Sequence, residues 1–198
     1  MGVIITIEGS WAVGKSTLLQ RWKALHPSYL VHDGLDKYDV GADLSDEASY
    51  CQHERRYLRH FLAEERRLRA QPQPVLRIRG TEAAAFYACH FPRSHDHAWD
   101  VERLLHEELS ELRVAPSDLL LYLHASVPTI RQRAAQDATK QRAKLSRWLE
   151  AWQAPTEAFF RSLPQTVVID TDDLAPDEVV QEADRTLSRW FTEKGRIS

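Results

Sequence analysis

A short glycine-rich segment near the start of the chain carries a lysine and two hydroxyl side chains. Residues 9–17 read GSWAVGKST and satisfy the pattern GxxxxGK[ST]. Gly9 and Gly14 permit backbone angles that other residues avoid, so successive amide groups can point at one phosphate. Lys15 adds a positive charge, and the Ser16 hydroxyl is a ligand for Mg²⁺. We therefore expect ATP and Mg²⁺ to bind here, through Gly9, Ser10, Trp11, Ala12, Val13, Gly14, Lys15, Ser16 and Thr17.

The residues on either side of this segment have the patterns that such a loop needs. The β-branched run VIITIE precedes it, and KSTLLQRWKAL, which has the apolar spacing of a helix, follows it. A helix that begins at Lys15 directs its positive end at the bound phosphate. Trp11 is unusual in this position, because its large ring has to face solvent, the second substrate or a neighbouring helix.

Further along the chain, short β-branched runs alternate with longer helical patterns, which is typical of an α/β fold with a mainly parallel sheet. Five strands are predicted, at 3–8, 29–32, 74–79, 118–124 and 166–170. Seven helices are predicted, at 15–25, 46–70, 82–90, 99–112, 128–137, 145–162 and 176–192. These elements fit one domain over residues 1–198.

Length, charge and cysteine content exclude several classes of protein. The chain has 198 residues and a formal net charge of −3, with 26 lysines and arginines against 29 aspartates and glutamates. A binder of duplex nucleic acid usually has a basic excess, so we expect no nucleic-acid partner. No apolar run reaches the roughly 20 residues of a membrane span, and the N-terminus lacks the basic region of a signal peptide. With only Cys51 and Cys89, we expect a cytoplasmic protein without a disulfide framework. Because no apolar run is long enough to span a membrane, we also expect no membrane partner.

The phosphate-loop motif occurs in kinases, GTPases, transporters and motor ATPases, and other segments separate these classes. The chain contains no late NKxD motif, no DxxG motif and no LSGGQ-like segment, so GTPases and transporters lose their usual support. The segments ITIEGSWAVGKSTLL, PVLRIRGTEAAAFYA, PSDLLLYLHASVPTIRQRA and VVIDTDDLAPDEVV resemble, in order and spacing, the deoxynucleoside kinase and thymidylate kinase superfamily. This resemblance covers nearly the whole chain. It implies a P-loop NTPase fold, with a five-stranded parallel sheet flanked by helices and a helical lid at about 136–144, and is compatible with a homodimer.

The resemblance also implies roles for several cations. Arg79 matches the family's arginine after the third strand, while Arg131, Arg133 and Arg142 match the lid that closes over the triphosphate. We therefore expect Lys15, Arg79 and Arg133 to be catalytic.

One departure from the family pattern concerns the metal. The family has an acid immediately before its arginine, where this chain has Ile78. Glu82 and Glu8 are the candidates to replace that acid. With Ser16, Glu82 is the expected magnesium ligand, and Glu8 is the alternative.

The acceptor needs a carboxylate near its hydroxyl group. Asp33 follows the second predicted strand, and ligands of doubly wound sheets bind beyond the carboxyl ends of strands. In the family a carboxylate at this strand end is the proposed base, so Asp33 is expected to be catalytic and Asp36 is the second choice. The resemblance places the acceptor against the first half of the helix at 46–70 and beside a downstream aromatic. The expected acceptor contacts are therefore Asp36, Gln52, Arg55, Arg56 and Tyr87.

These expectations describe an ATP-dependent kinase acting on a small-molecule hydroxyl group, which the resemblance narrows to a nucleoside or nucleoside monophosphate. Asp33 favours a neutral acceptor, because a phosphate next to a buried carboxylate is repelled. Two alternatives stay open. One is a phosphotransferase for another hydroxylated metabolite or an antibiotic, and the other is an ATP-binding regulator with weak turnover, which Ile78 motivates.

Overall fold

The computed structural model describes residues 2–33, 44–114, 116–137 and 145–195. These residues contain a five-stranded parallel sheet with the order β2-β3-β1-β4-β5. The strands are β1 (Ile4–Gly9), β2 (Leu30–His32), β3 (Val75–Ile78), β4 (Leu119–His124) and β5 (Thr166–Asp170). The predicted strands and the predicted α/β fold class are thus confirmed.

Eight helices lie in the same described residues. They are α1 (Lys15–Leu25), α2 (Glu47–Arg69), α3 (Thr81–Arg93), α4 (Val101–Leu104), α5 (His106–Arg113), α6 (Val127–Gln136), α7 (Leu145–Ser162) and α8 (Pro176–Glu193). The single helix predicted at 99–112 is in fact α4 and α5. The helical conformation is interrupted between them at Leu105, which has φ −114° and ψ 24° and a fully buried side chain. None of the helices in the described ranges combines the length and apolarity that a membrane span requires.

One face of the sheet packs against α1 and α8. Apolar side chains of the three central strands form a single core with both helices; they are Ile5, Ile7, Leu76, Ile78, Leu119, Leu121 and Leu123. Trp22 of α1 and Leu187 of α8 belong to this core and are at most 1% exposed. Burial of each such side chain stabilises the fold by roughly 1.5–3 kcal/mol, which fixes α1 directly behind the loop that precedes it.

The opposite face of the sheet carries a buried polar network under α2. The Arg77 guanidinium, 3% exposed, forms an ion pair with Glu65, which is 2% exposed. Arg77 Nε also donates to Thr6 Oγ1 at 2.9 Å, and the hydroxyls of Thr6 and Ser117 lie 2.6 Å apart. This network ties α2 to β1, β3 and the start of β4.

The parallel strands bring several polar residues to one edge of the sheet. β1 ends at Gly9, the first residue of the glycine-rich segment, and Ile7 is paired with Ile78 of β3. His32 of β2 is paired with Arg77. Glu8, Asp33 and Arg79 therefore all follow or end strands at the same carboxyl edge, which is where ligands of such sheets bind.

Candidate active site

The glycine-rich segment forms a tight loop between β1 and α1. Three of its residues have positive φ angles: 137° at Gly9, 60° at Ala12 and 99° at Gly14. A Cβ atom at Gly9 would collide with the carbonyl oxygen of Leu123 on β4, so only glycine fits there. Lys15 Nζ donates to the carbonyl oxygen of Gly9 at 2.7 Å, which holds the ammonium group against the loop. The arrangement is a preformed cradle for an anion at a helix N-terminus.

Helix α7 closes one side of this loop. The indole of Trp11 is stacked on that of Trp148, with ring centroids 5.4 Å apart and ring planes 15° apart. One residue earlier in the loop, the Ser10 hydroxyl donates a hydrogen bond to Gln153 Oε1. The sequence left three surroundings open for the Trp11 ring: solvent, the second substrate and a neighbouring helix. The structure shows that it packs against a neighbouring helix.

A buried carboxyl group lies next to the loop, at the end of β1. Glu8 is 2% exposed, and its Oε1 accepts a hydrogen bond from the Gly80 backbone N–H at 3.0 Å. Burial raises the pKa of Glu8 to about 7, although the positive charges of Lys15 and Arg79 and the Gly80 hydrogen bond oppose that rise. Glu8 therefore stands in the field of two cations, both of which the sequence predicts to be catalytic.

Arg79 reaches this position through an uncommon backbone conformation. It directly follows β3 and has φ 64°, in the left-handed region that costs about 1–3 kcal/mol for a side-chain-bearing residue. The turn aims the next N–H, that of Gly80, at Glu8. The charge of Arg79 opposes the rise in the pKa of Tyr57, which burial brings to about 12, and it likewise opposes the rise that burial causes at Tyr87. Arg79, Tyr57 and Tyr87 thus lie together beside Glu8.

The two carboxyl groups that the sequence offers as metal ligands have different hydrogen-bond partners. Both oxygens of Glu82 are occupied on the side of Ser117: Oε1 accepts from the Ser117 N–H at 2.7 Å, and Oε2 accepts from the Ser117 hydroxyl at 3.1 Å. Ile78 is 7% exposed and packs in the core shared with α1 and α8. Glu8 is within electrostatic range of Lys15, whereas Glu82 is hydrogen-bonded to Ser117, and the choice of metal ligand stays a prediction.

The donor chemistry of the loop fits a magnesium ion bound together with a nucleotide. Ser16 is half-buried in the first turn of α1, next to Lys15. In the described part of the chain, no three His, Cys, Asp or Glu side chains are grouped as a metal site. Mg²⁺ commonly binds through one or two carboxylates together with phosphate oxygens and water, so the Ser16 hydroxyl and a carboxyl group near the loop would hold it.

The residues proposed on α2 are distributed differently from the expectation. Gln52 and Arg56 are exposed. Arg55 is directed at α4 and α5, where its Nη2 donates to the Leu104 carbonyl oxygen at 2.7 Å and its Nε lies 3.3 Å from Glu108.

A different stripe of α2 faces α3, at positions 50, 54, 57 and 61. Tyr50 is fully buried and donates to the Ala88 carbonyl oxygen at 2.7 Å, and Glu54 is 6% exposed. This stripe contains none of the predicted site residues. Its signal was the helical spacing of three aromatic residues around a single carboxyl group.

The remaining predicted residues are spread along the same edge or fall outside the described ranges. Asp33 is exposed directly after β2. Arg133 Nη1 donates to the Thr171 hydroxyl at 2.9 Å, which ties α6 to the segment after β5, whereas Arg131 is exposed. Asp36 and Arg142 lie outside the described residues, as do residues 138–144 of the expected lid.

No protein-family model and no curated protein sequence matches the chain. Several solved structures are nevertheless similar. Thymidylate kinase from Candida albicans gives a TM-score of 0.68 at 15% identity, over 99% of this chain and 94% of that chain. Deoxyadenosine kinase from M. mycoides with bound dCMP and dCDP gives 0.71 at 13% identity, over 94% of this chain and 100% of that chain. The same enzyme with bound dATP gives 0.66 at 14% identity, over the same shares of both chains. The likeness extends over almost the full length of both folds, and this chain therefore has the α/β P-loop fold that these nucleoside and nucleotide kinases share.

Proposed function

We propose that this protein is a kinase that transfers the γ-phosphoryl group of ATP to a hydroxyl group of a nucleoside or nucleoside monophosphate. The observation that carries the proposal is the buried Glu8 carboxyl group between Lys15 and Arg79, at the mouth of a preformed phosphate loop. A glycine turn that only joined β1 to α1 would not require a buried carboxyl group next to two cations. The shared fold with two kinases named for nucleoside and nucleotide substrates gives further support.

The loop side of the site would hold the triphosphate. Phosphoryl transfer depends mainly on charge neutralisation and on alignment of the acceptor, and Lys15 and the N-terminus of α1 supply fixed positive charge. Ser16 would hold Mg²⁺, with Glu8 as the carboxylate that takes the place of the acid absent at Ile78. When bound, Mg²⁺ neutralises charge on the phosphates.

The acceptor side favours a neutral hydroxyl compound over a monophosphate. Asp33, the proposed base, would put a carboxylate next to the acceptor. Of the cations expected to bind an acceptor phosphate, Arg55 is paired with Glu108 and Arg56 is exposed. A dianionic acceptor would meet that carboxylate and mainly Arg79, and like charges placed side by side repel each other.

The other predicted residues keep their proposed roles. Asp33, at the carboxyl end of β2, is the proposed base for the acceptor hydroxyl. Arg133 is proposed to act from α6 together with Arg131 and Arg142, and its hydrogen bond to Thr171 would hold the base of the expected lid in place.

The test is acceptor-dependent ADP release from ATP and Mg²⁺, measured with nucleosides, nucleoside monophosphates and sugars. We expect turnover with nucleosides, and we expect Asp33→Asn to lower it by about a hundredfold, the usual scale for loss of a general base, with little change in ATP affinity. If Asp33→Asn stays active while Arg56→Ala sharply weakens acceptor binding, a monophosphate is the acceptor. ATP binding without turnover on any of these compounds would contradict the kinase proposal and favour an ATP-binding regulator.

A further inference from the structure

A cavity of about 580 Å³ lies along the whole length of α3, between that helix and the C-terminal ends of α5 and α7. Side chains from successive helical turns, from Thr81 to Arg93, line it over roughly 18 Å. Pro116 and Gln165, which come shortly before β4 and β5, also line it. Of the residues predicted for the active site, only Glu82 contributes. The cavity is therefore separate from the phosphate loop, which follows the carboxyl end of β1.

One side of the cavity is a continuous aromatic surface. Phe86 is stacked on His90, with ring centroids 5.1 Å apart and ring planes 11° apart. On its other side Phe86 is stacked on Phe159 of α7, at 4.8 Å and 26°. All three rings line the cavity, together with the aliphatic side chains of Leu112 and Leu163. We call the three rings the aromatic wall; a flat apolar ring packs favourably against such a surface.

The charged side chains of the cavity are grouped at the far end of α3. Arg93, in the last turn of the helix, is exposed and forms no ion pair with any residue in the described part of the chain. Arg113 Nη2 lies 3.3 Å from Glu102 Oε1. Burial raises the pKa of the Cys89 thiol to about 11, and the charges of these three side chains also act on it, so they lie close together. Two guanidinium groups thus share one carboxylate, which leaves positive charge for an anion to neutralise.

The acid at the near end of α3 does not offset this preference, because its hydrogen-bond capacity is already used. Glu82 Oε1 accepts from the Ser117 N–H at 2.7 Å and from Gln165 Nε2 at 3.2 Å. Its Oε2 accepts from the Ser117 hydroxyl at 3.1 Å. The two arginines at the far end therefore decide the sign of the charge that the cavity prefers.

We propose that this cavity is a binding site for a small aromatic carboxylate. The ring would pack on the aromatic wall, and the carboxylate would accept hydrogen bonds from Arg93 and Arg113, whose planar guanidinium groups match its two oxygens. The volume is within the range of about 300–1,000 Å³ that is usual for small-molecule sites. This inference does not rest on the proposed function, because neither the phosphate loop nor Asp33 contributes to the cavity.

The experiment measures binding of naphthoate and of its neutral amide to the full-length protein by isothermal calorimetry. The two probes share one ring system and differ in charge. We expect one naphthoate per chain, bound at least tenfold more tightly than the amide, because the ion gains charge-assisted hydrogen bonds. In Arg93→Gln, at an exposed position, we expect the preference to fall to about threefold or less.

Arg103→Gln is the matched control. Arg103 follows Glu102 on α4, but its side chain is 69% exposed, pairs with Asp100 and does not line the cavity. This variant loses the same charge and should keep the wild-type preference. Ala85→Trp fills the cavity from the middle of α3 and should abolish binding of both probes.

Four results would overturn the inference. They are equal affinity of wild type for the two probes, an unchanged preference in Arg93→Gln, naphthoate binding that survives in Ala85→Trp, and no naphthoate binding at all. In the last case sedimentation shows whether a second copy of the chain covers this face, since Ala85→Trp would then dissociate a dimer. Because every readout is binding or assembly, a failure of the proposed kinase function would leave the outcome unaffected.

Discussion

The indole of Trp11 in the phosphate loop lies flat against the indole of Trp148 on α7, with ring centroids 5.4 Å apart. Helix α7 also accepts the Ser10 hydrogen bond through Gln153, so two successive loop residues are held by one helix. Four residues lie between Gly9 and Gly14. Two of them, Ser10 and Trp11, are ordered by contacts with α7, more than 130 residues farther along the chain. The loop geometry depends on α7 as well as on β1 and α1.

Loss of this stack should weaken ATP binding. Stacked aromatic pairs contribute about 0.5–1.5 kcal/mol, so Trp148→Leu should raise the dissociation constant for ATP by about two- to tenfold, because the loop must then be ordered on binding. Calorimetry with ATP and Mg²⁺ measures the change. Trp190→Leu on α8, where the indole packs against Phe191 instead, is the control and should leave ATP affinity unchanged. Equal affinities in wild type and Trp148→Leu would show that α7 does not order the loop.

The backbone at Arg79 predicts a separation between stability and activity. With φ 64°, a glycine at this position avoids the Cβ strain, whereas an alanine keeps it. Arg79→Gly should therefore be about 1 kcal/mol more stable than Arg79→Ala, and both should lose most turnover because the cation is gone. Urea unfolding and ADP release measure the two effects. Full activity in either variant would remove Arg79 from the site.

Arg77, two residues earlier, should behave in the opposite way. Its guanidinium is 3% exposed and pairs with Glu65 under α2. Arg77→Leu leaves the Glu65 carboxylate buried with one partner fewer, and we expect a loss of about 3–5 kcal/mol in unfolding free energy. The double variant Arg77→Leu, Glu65→Leu should recover part of that loss. A single variant as stable as wild type would contradict the structural role given to this arginine.

Glu54 makes a pH-dependent contribution to stability. Burial raises its pKa from 4.5 to about 7, so the unfolded chain ionises at lower pH than the folded protein. The fold has no penalty below about pH 4.5, loses stability as the pH rises to about 7, and loses no more above that value.

Glu54→Gln removes this term, because an amide does not ionise. The unfolding free energy of the variant minus that of wild type should therefore grow by up to about 3 kcal/mol between pH 4.5 and pH 7 and then level off. Chemical denaturation in buffers over this range measures the difference, and Gln52→Ala on the same helix should show no such pH dependence. Parallel curves for wild type and Glu54→Gln would mean that Glu54 is solvated.

The sequence was sufficient for the parts of the site that are local in the chain. The phosphate loop is read from nine consecutive residues, and the three central strands are short apolar runs that the parallel sheet buries on both faces. The interruption between α4 and α5 could not be predicted in this way. Leu105 is buried, so its apolar side chain continues the spacing of a single helix across the break.

The acceptor side could not be read in the same way, because it depends on how α2 is rotated about its axis. Arg55 and Glu54 are adjacent in sequence, yet Arg55 points at Glu108, whereas Glu54 belongs to the buried stripe that faces α3. That rotation is fixed by partners about 50 residues away, which no local pattern specifies. The hydrogen-bond partners of Glu82 have the same origin, since Ser117, which donates to it, lies 35 residues farther along the chain.

The most direct test of the central claim is transfer of label from γ-labelled ATP to a nucleoside, compared between wild type and Lys15→Ala. Wild type should produce a labelled nucleoside monophosphate. Lys15→Ala should lose most of that product at saturating ATP, because the lysine charge on the phosphates is gone. Its circular dichroism spectrum should be unchanged, because the loop still forms. Equal labelling by the two proteins at saturating ATP would contradict the phosphoryl-transfer mechanism, and no labelled nucleoside from wild type would contradict a nucleoside as the acceptor.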